Sequence, residues 1–313
     1  MTEFRVITRT GDTLPSPARQ EQPSGRAPLR VGAVQCAWNP DPPAHRETLA
    51  AGVRLAAAHG ASVICLQELT LSPYFAITPD DRDGAQAHAE DVGDGPTTAF
   101  ARELAAEVGA VVHASLYERD ANGPGFNTAI AVEPGGGVVA GTRKVHIPAF
   151  PYYHEDRYFA PGDTGFPVVE VAGARFGFPT CWDQWFPELA RIYSLEGAEV
   201  LVYPTAIGSE PDLADFDTKP LWQQMITANG LANATFMVAV NRIGTEGPLT
   251  FYGSSFISDP YGRIVVEAPR DEPAVIVADL DLDQRRDWLG FGLIDTRRPD
   301  QYGTLVQPQS LPS

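Results

Sequence analysis

The segment Arg175-Phe-Gly-Phe-Pro-Thr-Cys-Trp-Asp-Gln-Trp-Phe-Pro-Glu188 decides the fold. Its first half is an apolar strand running from 174 to 180. Its second half is an aromatic turn, and Pro187 suits the first position of a following helix. The chain therefore passes from strand to helix through a sharp turn that carries Cys181. The same alternation extends in both directions. Downstream, 187–196 reads as a helix, 199–203 as a strand, 221–234 as a helix and 236–240 as a strand. Upstream, 29–35 is a buried strand. The helix expected at 42–59 has Leu49, Val53 and Ala57 at four-residue steps and stops at Gly60. A second buried strand, 61–67, ends at Glu68. Residues 97–108 form a helix with Phe100, Leu104 and Val108 on one face, followed by a strand at 110–117. Strands 126–132 and 138–143 flank Glu133-Pro-Gly-Gly-Gly137, a hairpin turn. Residues 252–282 read as two antiparallel strands turning at Asp259-Pro-Tyr-Gly262, and little periodicity follows Arg285. Helices between paired strands imply sheets covered by helices, an α/β (α+β) layered fold. No linker-like shift in composition divides residues 29–313, which read as one domain.

The chain has 313 residues and a formal charge of −17. Hydrophobic content of 43% with 20% charged residues is globular and excludes wholesale disorder. The negative balance argues against nucleic-acid binding, which needs a basic face for phosphates. No apolar run is long enough for a transmembrane helix, so no membrane partner is expected, and the first residues lack a signal-peptide core. Cys36, Cys65 and Cys181 are too few and too scattered for a disulfide framework, which points to a reducing, cytoplasmic setting. Residues 1–28, with prolines at 15, 17, 23 and 28 and four arginines against three acids, read as a flexible or loosely docked arm. The acidic surplus thus belongs to the body. It clusters at 80–94 and 210–217, and the second cluster predicts a bias toward cationic ligands.

Three strand ends carry groups able to do chemistry together. Cys181 sits where a helix start and free backbone N–H groups can stabilise a thiolate or an oxyanion. A lone cysteine is more often a small buried hydrophobe, as Cys36 and Cys65 read within their apolar strands. A thiol nucleophile needs a base and a group to hold negative charge. Glu68, closing a buried strand, is a candidate proton shuttle. Lys144, closing the 138–143 strand, is a candidate cation for an oxyanion. Each alone also reads as a solvated strand end. His146 and His154 have no compact zinc spacing, so no metal is expected, and His146 reads as support for Lys144.

In their contexts, Leu66-Gln-Glu-Leu69, Arg143-Lys-Val-His-Ile-Pro148 and Thr180-Cys-Trp-Asp-Gln-Trp-Phe-Pro-Glu188, these residues resemble the Glu-Lys-Cys triad of the nitrilase, or carbon–nitrogen hydrolase, superfamily. Tyr158-Phe-Ala-Pro-Gly-Asp-Thr-Gly-Phe166, Tyr203-Pro-Thr-Ala-Ile-Gly-Ser-Glu-Pro211, Asn241-Arg-Ile-Gly244, Phe251-Tyr-Gly-Ser-Ser-Phe256 and Arg297-Arg-Pro-Asp300 resemble its N-carbamoylputrescine amidase and β-ureidopropionase-like branch. The likeness spans about residues 29–302. It implies a four-layer αββα sandwich that assembles into a homodimer or larger homo-oligomer. It implies a thiol amidohydrolase needing no cofactor, with Glu68 as base, Cys181 as nucleophile, and Lys144 and the Trp182 backbone N–H on the oxyanion. Glu155 matches the family's second glutamate, which positions substrate and lysine. Glu210 matches the position that faces a far ammonium in carbamoylputrescine amidases, and Tyr153 and Trp182 are candidate walls for a small-molecule amide or carbamoyl substrate. Ala149 and Tyr152 depart from the family's acid and glycine, and Pro179-Thr180 is unusual, so substrate range is open. The alternatives are a β-ureidopropionase-like or other aliphatic amidase, a nitrilase, and a non-catalytic binding protein on the same fold.

Overall fold

The computed structural model describes residues 2–19, 25–121, 123–213 and 215–308. Two sheets face each other. The first has seven strands in the order Arg5–Arg9, Ala274–Leu280, Leu29–Gln35, Val63–Cys65, Val111–Glu118, Phe126–Val132, Val138–Arg143. The second has six, in the order Ile264–Glu267, Phe256–Ser258, Phe236–Asn241, Val200–Thr205, Ala174–Gly177, Val168–Val171. Strand alternation builds the layers. Val31, Ala33, Val63 and Cys65 of the first sheet meet Phe176, Phe178, Val200 and Val238 of the second in one core. Their neighbours Val34, Ile64 and Val112 turn outward onto Leu49, Val53, Phe100 and Leu104, from the helices Pro42–Ala58 and Pro96–Val108. On the other side Leu201, Tyr203 and Met237 turn outward onto Leu189, Tyr193, Trp222 and Ile226, from the helices Pro187–Leu195 and Lys219–Asn233. The result is an αββα sandwich. Sheets covered on both faces explain why the central strands read as unbroken apolar runs. Gly52 allows the close approach of its helix, since a Cβ there would lie 2.4 Å from Val34 Cγ1.

Of residues 1–28, expected to be flexible or loosely docked, residues 1 and 20–24 lie outside the described residues, and part of the rest is docked. Arg5–Arg9 is an edge strand, parallel to Ala274–Leu280. The chain beyond it is tied down as well: Gly11 N donates to Asp279 Oδ2 at 2.7 Å, and Gln284 Nε2 donates to the Leu14 carbonyl at 2.6 Å. The prolines masked a short β-branched run, Val6-Ile-Thr8, whose backbone completes an otherwise open sheet edge. The last strands also differ from expectation. Phe256–Ser258 and Ile264–Glu267 pair around the 259–262 turn, but Ala274–Leu280 crosses to the first sheet and pairs antiparallel with Leu29–Gln35. Asp283–Leu289 is helical where no periodicity was read. Among the described residues, no helix is long and apolar enough to cross a membrane.

Strand direction positions the site. Val63–Cys65 runs parallel to Val111–Glu118. Two antiparallel steps then return Val138–Arg143 to the same direction. Glu68 and Lys144 therefore leave the first sheet at the same end.

Candidate active site

Lys144 is the centre of the arrangement. Its Nζ donates to Glu68 Oε1 at 3.0 Å and to Glu155 Oε1 and Oε2 at 2.9 and 2.7 Å. All three side chains are fully buried. Such a cluster survives burial only because the charges are mutually paired and hydrogen-bonded. Burial opposes the charge on Lys144, but Glu155, Glu68 and Cys181 outweigh it and hold the ammonium above its ordinary value. Glu155 is pushed up, to about 7: burial raises it, Lys144 pulls it back and Glu68 adds to the rise. Glu155 Oε1 also accepts the Tyr74 hydroxyl at 2.7 Å. Glu68 Oε1 accepts Asn127 Nδ2 at 2.7 Å, while Glu68 Oε2 is buried with no partner among the described residues. That oxygen is free to take a proton.

Cys181 opens a short 3₁₀ turn, Cys181–Trp185, after the strand Ala174–Gly177. Its φ is +40°, a left-handed conformation that costs a non-glycine residue and marks a constrained turn. Burial pushes its thiol well above the ordinary value, Glu68 and Glu155 push it further, and Lys144 pulls it down. At rest the sulfur is therefore a thiol, and attack requires a base. Trp182 follows at the first turn of the 3₁₀ segment, where backbone N–H groups lack an intrahelical acceptor.

Asp183 joins the two halves, a role that sequence reading missed. Its Oδ1 accepts His146 N at 2.9 Å and His146 Nδ1 at 2.8 Å, and its Oδ2 accepts Thr180 N at 3.1 Å. One buried carboxylate thus fixes the residue before the nucleophile and the residue two after Lys144. His146 also stacks on Phe186, with ring centroids 3.6 Å apart. Arg242 was missed in the same way. Fully buried, it donates to the carbonyls of Glu68 at 2.6 Å, Leu69 at 3.2 Å and Ser72 at 3.3 Å, and to Glu246 Oε1 at 2.5 Å. It lies in the Asn241–Gly244 motif, but a buried charge that binds carbonyls leaves no local sequence signal.

A cavity of about 320 Å³ opens over Cys181 and Glu155. Phe150, Tyr153, Trp182 and Trp185 form its aromatic walls, and Glu210 faces it. Tyr153 is buried and its hydroxyl accepts Gly208 N at 3.1 Å. Glu210 is half-buried and burial raises its carboxyl; its Oε2 has no partner among the described residues. A larger hollow of about 1000 Å³, lined by Trp38, His45 and Pro96, holds none of these groups, which gather at the smaller cavity. Every expected site residue thus lines this cavity or belongs to the charged cluster beneath it.

Three comparisons bear on this arrangement. Residues 30–289 match the family model for carbon–nitrogen hydrolase. An N-carbamoylputrescine amidase of Arabidopsis thaliana is 42% identical over 266 residues, 81% of this chain and 87% of that protein. A citrullinase of Francisella tularensis is 37% identical over 288 residues, 90% of this chain and 99% of that protein. Among solved structures, a carbon–nitrogen hydrolase from Helicobacter pylori superposes with a TM-score of 0.81 at 30% identity, covering 89% of this chain and 98% of that one. The charged cluster, the cysteine turn and this match along most of the length lead to one conclusion: the chain belongs to the carbon–nitrogen hydrolase family, enzymes that hydrolyse carbon–nitrogen bonds other than peptide bonds.

Proposed function

We propose that the protein hydrolyses an N-carbamoyl amine whose far end is an ammonium, of the N-carbamoylputrescine kind. Glu210 carries this reading. Among the described residues lining the cavity it is, with Glu155, the only charged side chain, and none is cationic. Glu155 is already occupied by Lys144. A half-buried carboxylate with an unpartnered oxygen gains most from an ammonium. The far carboxylate of N-carbamoyl-β-alanine would meet that acid with no cation among the described lining residues to receive it, and citrulline, whose far end carries an ammonium beside a carboxylate, would satisfy Glu210 but leave its carboxylate without one. Of the relatives, the one from Arabidopsis is named for N-carbamoylputrescine and the one from Francisella for citrulline, and an ammonium lies at the far end of both compounds.

In this reading Glu68 Oε2 takes the Cys181 proton as sulfur attacks the carbamoyl carbon. The carbonyl electron pair moves to oxygen, where Lys144 Nζ and the Trp182 N–H hold the oxyanion. Glu68 then gives its proton to the departing nitrogen, and the C–N bond breaks to leave a thioester. Water, deprotonated by Glu68, attacks that carbon, and the C–S bond breaks with return of the proton to sulfur. The remaining carbamate loses carbon dioxide, so one substrate and one water yield amine, ammonia and carbon dioxide. Glu155 keeps Lys144 aimed. The same reading takes residues 29–313 as one hydrolase domain that pairs into a homodimer or larger assembly. Exposed Phe291, Leu305 and Val306 support the pairing, and three free buried cysteines support a cytoplasmic setting.

The test is ammonia release from N-carbamoylputrescine, N-carbamoyl-β-alanine, citrulline and a simple aliphatic amide, by wild type and Glu210→Gln. The cationic substrate should lead in kcat/KM, and the variant should raise its KM by about tenfold or more, as expected for a charge-assisted contact. A lead for the carboxylate-bearing substrate, or an unchanged KM, overturns the proposal.

A further inference from the structure

Glu210 lies just after the short strand Gly208–Ser209, where the chain leaves its sheet. Leu213 and Phe216 just beyond it are about half exposed, at 54% and 48%. Before Glu210, Gly208–Ser209 pairs with Phe251 and Thr250; the hairpin of the short strands Ala149–Phe150 and Tyr153–His154 adds a contact on each side of Glu210. Tyr153 reaches inward, and its hydroxyl accepts Gly208 N at 3.1 Å. Tyr152 reaches outward, and its hydroxyl donates to Asp212 Oδ1 at 2.9 Å. Two adjacent tyrosines thus grip the residues two before and two after Glu210. Tyr152 does so with φ at +67°, a left-handed conformation that favours glycine. A bulky aromatic in that conformation gains nothing from the turn itself. What it gains is packing against the cluster that contains Tyr153 and, through its hydroxyl, the contact to Asp212. Phe150, on the same hairpin, lines the cavity and packs against Tyr153 and Trp182, with ring centroids 5.0 and 5.1 Å away. Any movement of the hairpin therefore moves both the cavity wall and the acid opposite.

We infer that Tyr152, through Asp212, is a specificity-determining positioning residue: it fixes Glu210 where a substrate's far ammonium arrives. A free Glu210 segment would have to be ordered on binding, at a cost to affinity for the charged end alone. This inference rests on the reading of Glu210 under Proposed function and adds the device that holds it.

The test compares Tyr152→Phe, Asp212→Ala and the double variant on two substrates of equal length, N-carbamoylputrescine and the uncharged N-carbamoyl-n-pentylamine. Each single change should raise KM for the cationic substrate about three- to tenfold, the effect of one lost hydrogen bond. The kcat values and the KM of the uncharged substrate should hold within about twofold, and the double variant should be no worse than the poorer single one. Asp212→Asn, which keeps the acceptor oxygen, should restore most of the affinity. Equal losses on both substrates, additive losses, or no loss overturn the inference. If wild type does not favour the cationic substrate, the reading of Glu210 falls as well. If Glu210→Gln erases that preference while Tyr152→Phe preserves it, only the role of Tyr152 falls.

Discussion

Glu155→Gln tests the electrostatic design of the site through stability rather than turnover. Burial lifts the Glu155 carboxyl from 4.5 to about 7. A carboxyl raised on folding binds more protons in the native state than in the unfolded chain between those values. Its contribution to stability is therefore full below pH 4.5 and is lost as pH rises through about 7. The window spans roughly 2.5 in pH at about 1.4 kcal/mol each, or about 3 kcal/mol. The native protein tolerates that loss because ionised Glu155 receives both Lys144 bonds, at 2.9 and 2.7 Å. Glutamine keeps the shape and removes the titration. It also turns an amide NH₂ toward the Lys144 ammonium or the Tyr74 hydroxyl, a cost of about 1–3 kcal/mol at every pH. The variant should thus be clearly less stable than wild type at pH 5, and its deficit should shrink, toward reversal, by about 2–3 kcal/mol at pH 8. Urea unfolding of both proteins at several pH values reads this difference, to which Glu155 and the groups coupled to it, Lys144 and Cys181, contribute together. Turnover should fall by about a hundredfold as Lys144 loses its aim. Stability curves that stay parallel within about 1 kcal/mol would refute the assignment of the pH-dependent term to Glu155.

Two further outcomes follow from the geometry. Cys181→Ala should leave the unfolding transition near that of wild type and reduce ammonia release to background; retained turnover would show that another group attacks. Arg242→Met should strand the carbonyls of Glu68, Leu69 and Ser72 and the Glu246 carboxylate, at a cost of about 3–5 kcal/mol. It should also lower kcat more than it changes KM, because the carbonyls it holds fix the base; a kcat within twofold of wild type in the folded variant would remove Arg242 from the site.

The layered fold was legible because its central strands are buried on both faces and its helices are amphipathic. Both properties are written in the spacing of apolar residues. Two of the outermost strands, Arg5–Arg9 and Val168–Val171, were not legible, whereas Val138–Arg143 was. Arg5–Arg9 is short, exposed and followed by prolines, and its strand character comes from the edge that it completes. The destination of Ala274–Leu280 was equally hidden, because an apolar strand carries no sign of which sheet it joins.

For the site, the sequence by itself determined the chemical inventory: a cysteine on a strand-to-helix turn, an acid and a lysine at strand ends, and acids at 155 and 210. Tertiary structure alone decided how those groups act on one another. The bond from Lys144 to Glu68 joins residues 76 apart, and the contact from Arg242 to the Glu68 carbonyl spans 174. Neither distance is encoded locally. The state of each group depends on what burial removes and what charge it meets, which is why Cys181 rests as a thiol and Glu155 titrates near 7. Periodicity can place a residue at the end of a strand, but only the packed fold decides which partner takes the place of the water it has lost.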